Sequence, residues 1–426
     1  MQAIKKKLKR IIKLFITYKI ENDTRVYQLK YTPFTVKKSL IKKTFQQYGN
    51  TSINTKKIIF DNYMGHGYGC NCKYVTEELI RRGTDFDLVW IVKDANAHKG
   101  EFPPKVRLVE YGSKEAMFEY YTAAVWVCNY HLIHYWNQGL VKRFGQYYIQ
   151  MWHGSFGIKK IEKNCDCLTN SQSWTYLAKK KIRRIPIFGF SNSFFEDEVY
   201  QNAFWSVKNI LKLGHPRNDI FFKDGQDLVE KKVRKSLSID GKDKILLYVP
   251  TFREKLDFPN YKLDIEKLKK ALEKKTDQSW KIVVRLHPRM QNSLEKVCID
   301  EKKQIVKADA YPDIQELLAA AQVVITDYSS CIFDFLLTVR PGFLFVPDLE
   351  HYDQERGFYY KLEETPFPIA HTNEELIHNI ENFNQEKYSM QVEDFLKKKG
   401  SVEDGEASVR VCNLIESIVS EKEIRG

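Results

Sequence analysis

The sequence predicts an α/β protein: two tandem Rossmann-like domains facing a central cleft, preceded by a basic amphipathic helix. Three observations lead there. A chain of 426 residues is long enough for two or three domains. Short apolar runs alternate with helical patterns in two separate arrays, the pattern of parallel sheets covered by helices. The first twenty residues break that pattern and carry cations at helical spacing.

The first element is the N-terminal segment. Lys5, Lys6, Lys7, Lys9, Arg10, Lys13 and Lys19 interleave with Ile4, Leu8, Ile11, Ile12, Phe15 and Ile16, which share one helical face. The lysines interrupt what would have to be a continuous apolar core in a signal peptide. A helix of this kind lies flat on an anionic bilayer, or packs on its own domain with its lysines in water. Residues 1–50 are therefore read as a membrane-surface and acceptor-side segment.

Residues 51–222 read as the first Rossmann-like domain. Strand Ile58–Phe60 leads into a turn with Gly65, Gly67 and Gly69, and helix Tyr74–Arg82 follows, closed by Gly83. Leu88–Val92 and Val106–Val109 are strands, Ser113–Ala123 a helix, and Val125–Cys128 and Tyr147–Met151 continue the sheet. Residues 223–426 read as the second domain. Its strands are Lys244–Val249, Lys281–Leu286, Val323–Thr326 and Phe343–Val346; helices Ile265–Lys274, Asp313–Ala321 and Cys331–Leu337 lie between them, with helices from Asn373 on.

Composition excludes several classes. Hydrophobic residues at 43% support real cores, so wholesale disorder is out. No apolar run reaches the roughly 18–20 residues of a membrane span. Eight cysteines in this length are ordinary usage; the C-x-C pairs Cys70/Cys72 and Cys165/Cys167 lack zinc or redox spacing and read as reduced thiols. The net charge of +13 leaves nucleic acid, an anionic membrane or a phosphate-rich substrate as partners.

The chemistry-bearing residues gather just after strands. Trp152-His153-Gly154-Ser155 follows a strand, with Lys159 close behind. An imidazole there can serve as a general base or cap the strand end. Gly154 permits close backbone approach and Lys159 supplies charge for phosphate. Arg217, in Gly214-His215-Pro216-Arg217-Asn218-Asp219, fits a phosphate contact or a simple corner. Pro250 stops a strand and leaves Thr251 and Arg253 at the rim. Strand alternation puts Arg285 and His287 on one side, able to meet one anion. Ser329 and Ser330 sit at the start of a helix, beside Asp327 and one turn before Asp334. Asp348, Tyr352 and Arg356 lie in a polar, aromatic loop. No carboxylates or His pairs cluster at ligand spacing, so no metal site is predicted and no cofactor is firmly implied; metal dependence and oligomeric state stay open.

These motifs occur in an order that resembles the CDP-glycerol glycerophosphotransferase family of teichoic-acid primases and polymerases, across roughly Lys56 to Glu364. The turn Gly65-His66-Gly67-Tyr68-Gly69 with Lys73-Tyr74 fits the family's opening. The resemblance implies a glycosyltransferase-B-type fold and transfer of a polyol phosphate from CDP-glycerol or another CDP-polyol, with CMP leaving. It implies His153 and His287 as the catalytic pair, His153 taking the acceptor's proton and His287 with Arg285 on the donor pyrophosphate. It implies that Ser329 and Ser330 hold a phosphate, with Trp152, Gly154, Ser155, Arg217, Pro250, Thr251 and Asp334 completing the substrate site. Lys159, Arg253, Asp327 and Arg356 are further candidates. Where the family often has Thr-Pro after His-Gly, this chain has Ser155-Phe156, which keeps the hydroxyl and replaces the rigid turn.

The resulting expectation is a cytoplasmic enzyme, peripheral on the inner face of the bacterial membrane. Its acceptor would be a lipid-linked saccharide or polyol-phosphate polymer in teichoic-acid or capsular-polysaccharide synthesis. The alternatives are a nucleotide-sugar glycosyltransferase or epimerase, a non-enzymatic anion or nucleic-acid binder, and an inactive family member. Nucleic acid is the least favoured partner, because the densest cations lie on an amphipathic helix.

Overall fold

The structure is a computed structural model that describes residues 38–98, 100–165, 187–204, 207–251, 262–287, 290, 294–300 and 304–423. The expected amphipathic helix at residues 1–20 lies outside these, as do Arg253 and Cys167. The chain divides into two compact units: Met1–His153, Leu168–Asp219 and Val402–Gly426 form one, and Gly154–Cys167 with Ile220–Ser401 the other.

The first unit is built on a parallel sheet of β1 Asn54–Asp61, β2 Asp87–Val92, β3 Val106–Glu110, β4 Ala123–Cys128, β5 Tyr147–Gln150, β6 Ile187–Ser191 and β7 Val207–Lys212. Their order is β3-β2-β1-β4-β5-β6-β7, so the winding reverses between β1 and β4. Alternation along each strand feeds two cores. Ile58, Phe60, Trp90 and Val127 point to one face, where helices Cys70–Arg81 and Ala407–Glu423 bring Val75, Leu79, Leu414, Ile415 and Ile418. Ile59, Val89, Ile91 and Trp126 point to the other, against Met117, Tyr120 and Tyr121 of helix Lys114–Thr122. Burial on both faces explains why the strands read as unbroken apolar runs.

The second unit holds a sheet of β8 Lys244–Val249, β10 Trp280–Val284, β12 Ile305–Lys307, β13 Val323–Thr326, β14 Gly342–Phe345 and β15 Ile369–Ala370, in the order β12-β10-β8-β13-β14-β15. β9 Leu263–Asp264 and β11 Cys298–Ile299 pair separately. Leu246, Ile282 and Ile325 face Leu268 and Leu272 of helix Ile265–Thr276. Leu247, Val283 and Val324 face the opposite core with Leu317, Phe333 and Phe395. Here the winding reverses between β8 and β13.

Some expectations need correction. The expected boundary gave residues 223–426 to the second domain, whereas Val402–Gly426 belongs to the first unit and Gly154–Cys167 to the second. The physical reason for the first difference is the apolar face of helix Ala407–Glu423, which buries Val411, Cys412, Leu414, Ile415, Ile418 and Val419 in the first unit's core. Helix Cys70–Arg81 starts four residues before the expected Tyr74, and Gly83 ends it at φ +66°. Residues Leu349–Arg356 form a helix rather than a loop. Among the described cysteines none is in a disulfide.

Candidate active site

In open parallel sheets, ligands meet the carboxyl ends of strands where the winding reverses. In the first unit that point is the end of β1 and β4, at Asp61-Asn62 and Asn129. Asn129 Nδ2 donates to Asn62 Oδ1 at 2.6 Å, and Tyr63 N donates to Asn129 Oδ1 at 2.9 Å. Both amides are buried, so the pair welds the two strand ends together.

His153 hangs on this weld. Its Nδ1 lies 2.9 Å from the Asn129 carbonyl oxygen. A carbonyl only accepts, so Nδ1 carries the hydrogen and a neutral ring presents Nε2 as a lone pair. The ring sits 4.2 Å from the Trp152 ring and 5.0 Å from Tyr63, and it remains part-exposed. Trp152 adopts φ +52°, held by its N–H on Gln150 Oε1 at 2.9 Å, and it is buried against Phe204 at 4.8 Å.

Arg217 is connected to the same turn. Asn71, in the first turn of helix Cys70–Arg81, donates Nδ2 to the Trp152 carbonyl at 3.2 Å and accepts the Arg217 N–H on Oδ1 at 3.1 Å. The Arg217 side chain is enclosed, at 2% exposure. The rest of its motif does structural work that the sequence did not announce. His215 Nε2 meets Glu196 Oε2 at 3.0 Å. Asn218 Nδ2 donates to Glu403 Oε1 at 2.9 Å. Asp219 accepts the N–H groups of Ala407 at 3.0 Å and Ser408 at 2.8 Å, capping the C-terminal helix.

Below the weld, Asp61 is buried and accepts the Tyr120 hydroxyl at 2.8 Å and Gly65 N at 3.1 Å. Burial dominates and pushes its carboxyl from 3.8 up to about 6, against those hydrogen bonds. No motif reading singled out Asp61, Asn62 or Asn129; only their places at the ends of β1 and β4 could have flagged them.

In the second unit the reversal lies at the ends of β8 and β13. Thr251 N donates to both oxygens of Asp327 at 3.0 Å, and Thr251 Oγ1 donates to Oδ1. Pro250 beside it is buried. Tyr328 N also donates to Asp327, while its hydroxyl reaches Asp348 Oδ1 at 2.9 Å and its ring stacks on Tyr352 at 4.1 Å. Asp327 therefore locks the turn that presents Ser329 and Ser330. Those serines stand just before and at the N-cap of helix Cys331–Phe335, and Ser330 makes no side-chain cap bond. Asp334 is buried and accepts Gln315 Nε2 at 3.2 Å, so it is held inside the unit rather than solvated.

Arg285 and His287 lie just past β10, which ends at Val284, and the ladder carries on only to Arg285 N, which donates to the Tyr248 carbonyl at 3.0 Å. Leu286 N is instead captured by Asp309 Oδ1 at 2.6 Å, and Arg285 Nη1 donates to the Tyr311 carbonyl at 2.6 Å. The His287 side chain is exposed.

The segment after His153 packs within the second unit. Ser155 is fully buried, and Phe156 joins the core near Phe395 at 6.1 Å. Gly154 is part-exposed. Lys159 forms an antiparallel bridge with Phe358, and a Cβ on Gly157 would lie 3.7 Å from Ser330 Cβ. The Arg356 carbonyl accepts the Cys165 thiol at 3.6 Å. Burial pushes the Cys331 thiol up to about 12, while Ser329 and Lys159 pull it down. Among the described residues no group of three or more His, Cys, Asp or Glu could hold a metal ion.

The family model described as CDP-Glycerol:Poly(glycerophosphate) glycerophosphotransferase matches residues 44–417. The chain belongs to that family. It is 32% identical over 381 residues to the teichoic acid glycerol-phosphate transferase of Staphylococcus aureus, covering 85% of this chain and 93% of that one. It is 28% identical over 386 residues to the teichoic acid poly(glycerol phosphate) polymerase of Staphylococcus epidermidis, covering 87% of this chain. The chain spans about half of that relative's length, 52%. Its fold matches the wall teichoic acid polymerase TagF with a TM-score of 0.75 at 26% identity, over 90% of this chain and 94% of TagF. A TagF variant has also been solved after a soak with CDPG.

Proposed function

We propose that this glycerophosphotransferase-family chain moves glycerol phosphate, or a related polyol phosphate, from a CDP-activated donor to a hydroxyl of a lipid-linked or polymeric cell-envelope glycan. Family membership, the similar glycerol-phosphate transferase and the CDPG-soaked neighbour support this reading. The observation that carries the mechanism is the His153 hydrogen bond to the Asn129 carbonyl, which leaves Nε2 as the acceptor of a proton.

In the proposed step the acceptor oxygen attacks the phosphorus that bears the polyol, while His153 Nε2 takes the hydroxyl proton. The bond from that phosphorus to the bridging oxygen breaks, and its electrons leave with CMP. Phosphoryl transfer is limited by positioning and by stabilising charge on the non-bridging oxygens. Arg285, His287, Ser329 and Ser330 would supply that stabilisation, with Arg217, Pro250, Thr251 and Asp334 completing donor binding. Trp152, Gly154 and Ser155 would shape the turn that aims the base; Lys159 and Arg356 would add charge. Asp327 acts through Thr251 and the serine turn.

No helix among the described residues is long and apolar enough to cross a membrane. Attachment to an anionic membrane surface on the cytoplasmic side is proposed from the cations of residues 1–20. The test is CMP release from CDP-glycerol and other CDP-polyols with membrane extract as acceptor. His153→Ala should lower turnover at least a thousandfold with donor affinity within about twofold; wild-type turnover in that variant would overturn the base assignment.

A further inference from the structure

A basic cluster stands on the two loops that follow β1 and β2, outside the residues assigned above. Lys93 Nζ rests 2.7 Å from His66 Nε2, with no carboxylate paired to Lys93 among the described residues. The ammonium only donates, so His66 Nε2 accepts and its hydrogen sits on Nδ1. His98 lies against the same turn: a Cβ added to Gly67 would meet its Cε1 at 3.4 Å. Its Nδ1 pairs with Glu101 Oε2 at 2.9 Å. The other nearby acid, Asp94, accepts the N–H groups of Asn96 and Ala97 at 2.9 and 3.1 Å.

The cluster is held in place by backbone ties. Lys93 N donates to the Gly65 carbonyl at 2.9 Å, and His66 N to the Asn62 carbonyl at 2.8 Å. Asn62 Nδ2 returns to the carbonyls of His66 and Gly67, each at 3.1 Å. Gly65 and Gly67 adopt φ +85° and +70°, which few side chains tolerate. Asn62 is also the partner of Asn129, whose carbonyl orients His153. One buried amide pair therefore fixes both the candidate base and this cluster. Two basic groups held in contact repel as soon as both are charged, and an anion between them removes that repulsion. Partial desolvation first, then the charges of Lys93 and His98, hold the His66 imidazole below its ordinary range.

From this juxtaposition we infer that Lys93 and His66, with His98 beside them, form an anion subsite for a phosphate of the acceptor. The inference rests on the proposed transfer reaction, in which a growing polyol-phosphate acceptor carries a phosphodiester close to its reacting hydroxyl. Such a subsite would favour acceptors that already bear a phosphate unit over bare saccharide. The same chemistry could be met by free phosphate, and the two sources are separated below.

Two measurements on the full chain test it. In the first, inorganic phosphate is titrated into protein carrying 15N-labelled histidine. The His66 ring resonances should move and its titration should shift to higher pH, and Lys93→Met should weaken that response at least tenfold. In the second, CMP release is compared for a synthetic alkyl disaccharide with and without one terminal glycerol phosphate. Wild type should prefer the phosphate-bearing acceptor at least tenfold in kcat/KM, and Lys93→Met should reduce the preference to within about threefold while donor KM stays within twofold. No response of His66 to phosphate, or a response equal in Lys93→Met, overturns the subsite. A response to phosphate with an unchanged acceptor preference also overturns it, leaving adventitious anion binding only. CMP release from CDP-glycerol does not depend on this cluster, so its absence in wild type sinks the transfer reading separately.

Discussion

Asp219→Ala should loosen the C-terminal helix from the first unit. The carboxylate accepts two N–H groups at the start of Ala407–Glu423, and Asp219, Ala407 and Ser408 are all essentially buried. Alanine leaves both donors without their acceptor in a place water does not reach, at about 1–3 kcal/mol each. Capping substitutions alone cost about 1 kcal/mol. A loss of about 3 kcal/mol follows, with Asp219→Asn near half of that because one oxygen is retained. The assay is urea unfolding by far-UV circular dichroism, together with amide exchange in residues 407–423. The exchange arm matters because a chain of two units need not unfold in one step. A loss below about 1 kcal/mol, or unchanged exchange in that helix, would refute the view that this motif anchors the helix.

Asp61 gives a pH signature. Its folded carboxyl is raised from 3.8 to about 6, so its contribution is full below about pH 4 and is lost as pH rises through 6. That rise corresponds to about 3 kcal/mol. Asp61→Asn, with no charge to bury, should gain on wild type by that order between pH 4 and pH 7; a pH-independent difference in urea midpoints would count against it. Thr251→Val removes the hydroxyl bond to Asp327 while keeping shape, and should raise donor KM about tenfold with kcat little changed. An unchanged donor KM in CMP-release kinetics would remove Thr251 from the donor site.

The strong strands were legible because burial on both faces made them continuous apolar runs: β1, β2, β4, β8, β10 and β13 all read directly. β6 and β7 did not. β6 is Ile-Phe-Gly-Phe-Ser, and its glycine interrupts the run; β7 carries Lys208, Asn209 and Lys212. β12 and β15 are three and two residues long, too short to show a period. Caps were the better local signal: Ser113 and Asp313 both accept N–H groups in their helices' first turns, where sequence placed those helix starts. The early start of Cys70–Arg81 was invisible because its N-cap, Gly69, has no side chain to announce it.

The candidate site was readable as residue types at strand ends, and less so as contacts. Alternation places Arg285 and His287 on one side; β10 itself ends at Val284, and Asp309 Oδ1 holds Leu286 N between them. Gly214–Asp219 reads either as a phosphate contact through Arg217 or as a simple corner; its His215, Asn218 and Asp219 bind Glu196, Glu403 and the C-terminal helix. Those partners are remote in sequence, so no local pattern could reveal them. The Asn62–Asn129 pair was missed for the same reason.

The placement of helix Ala407–Glu423 has a consequence for how the protein is made. The strands it covers leave the ribosome early, but their last covering layer is synthesised only after the whole second unit. Until then the apolar face of β1, β2 and β4 lacks the side chains of Val411, Leu414, Ile415 and Ile418. A nascent or truncated product ending before Val402 would expose that face, and would be a client for holding chaperones or proteases. The first unit thus completes its folding only after the second has been translated.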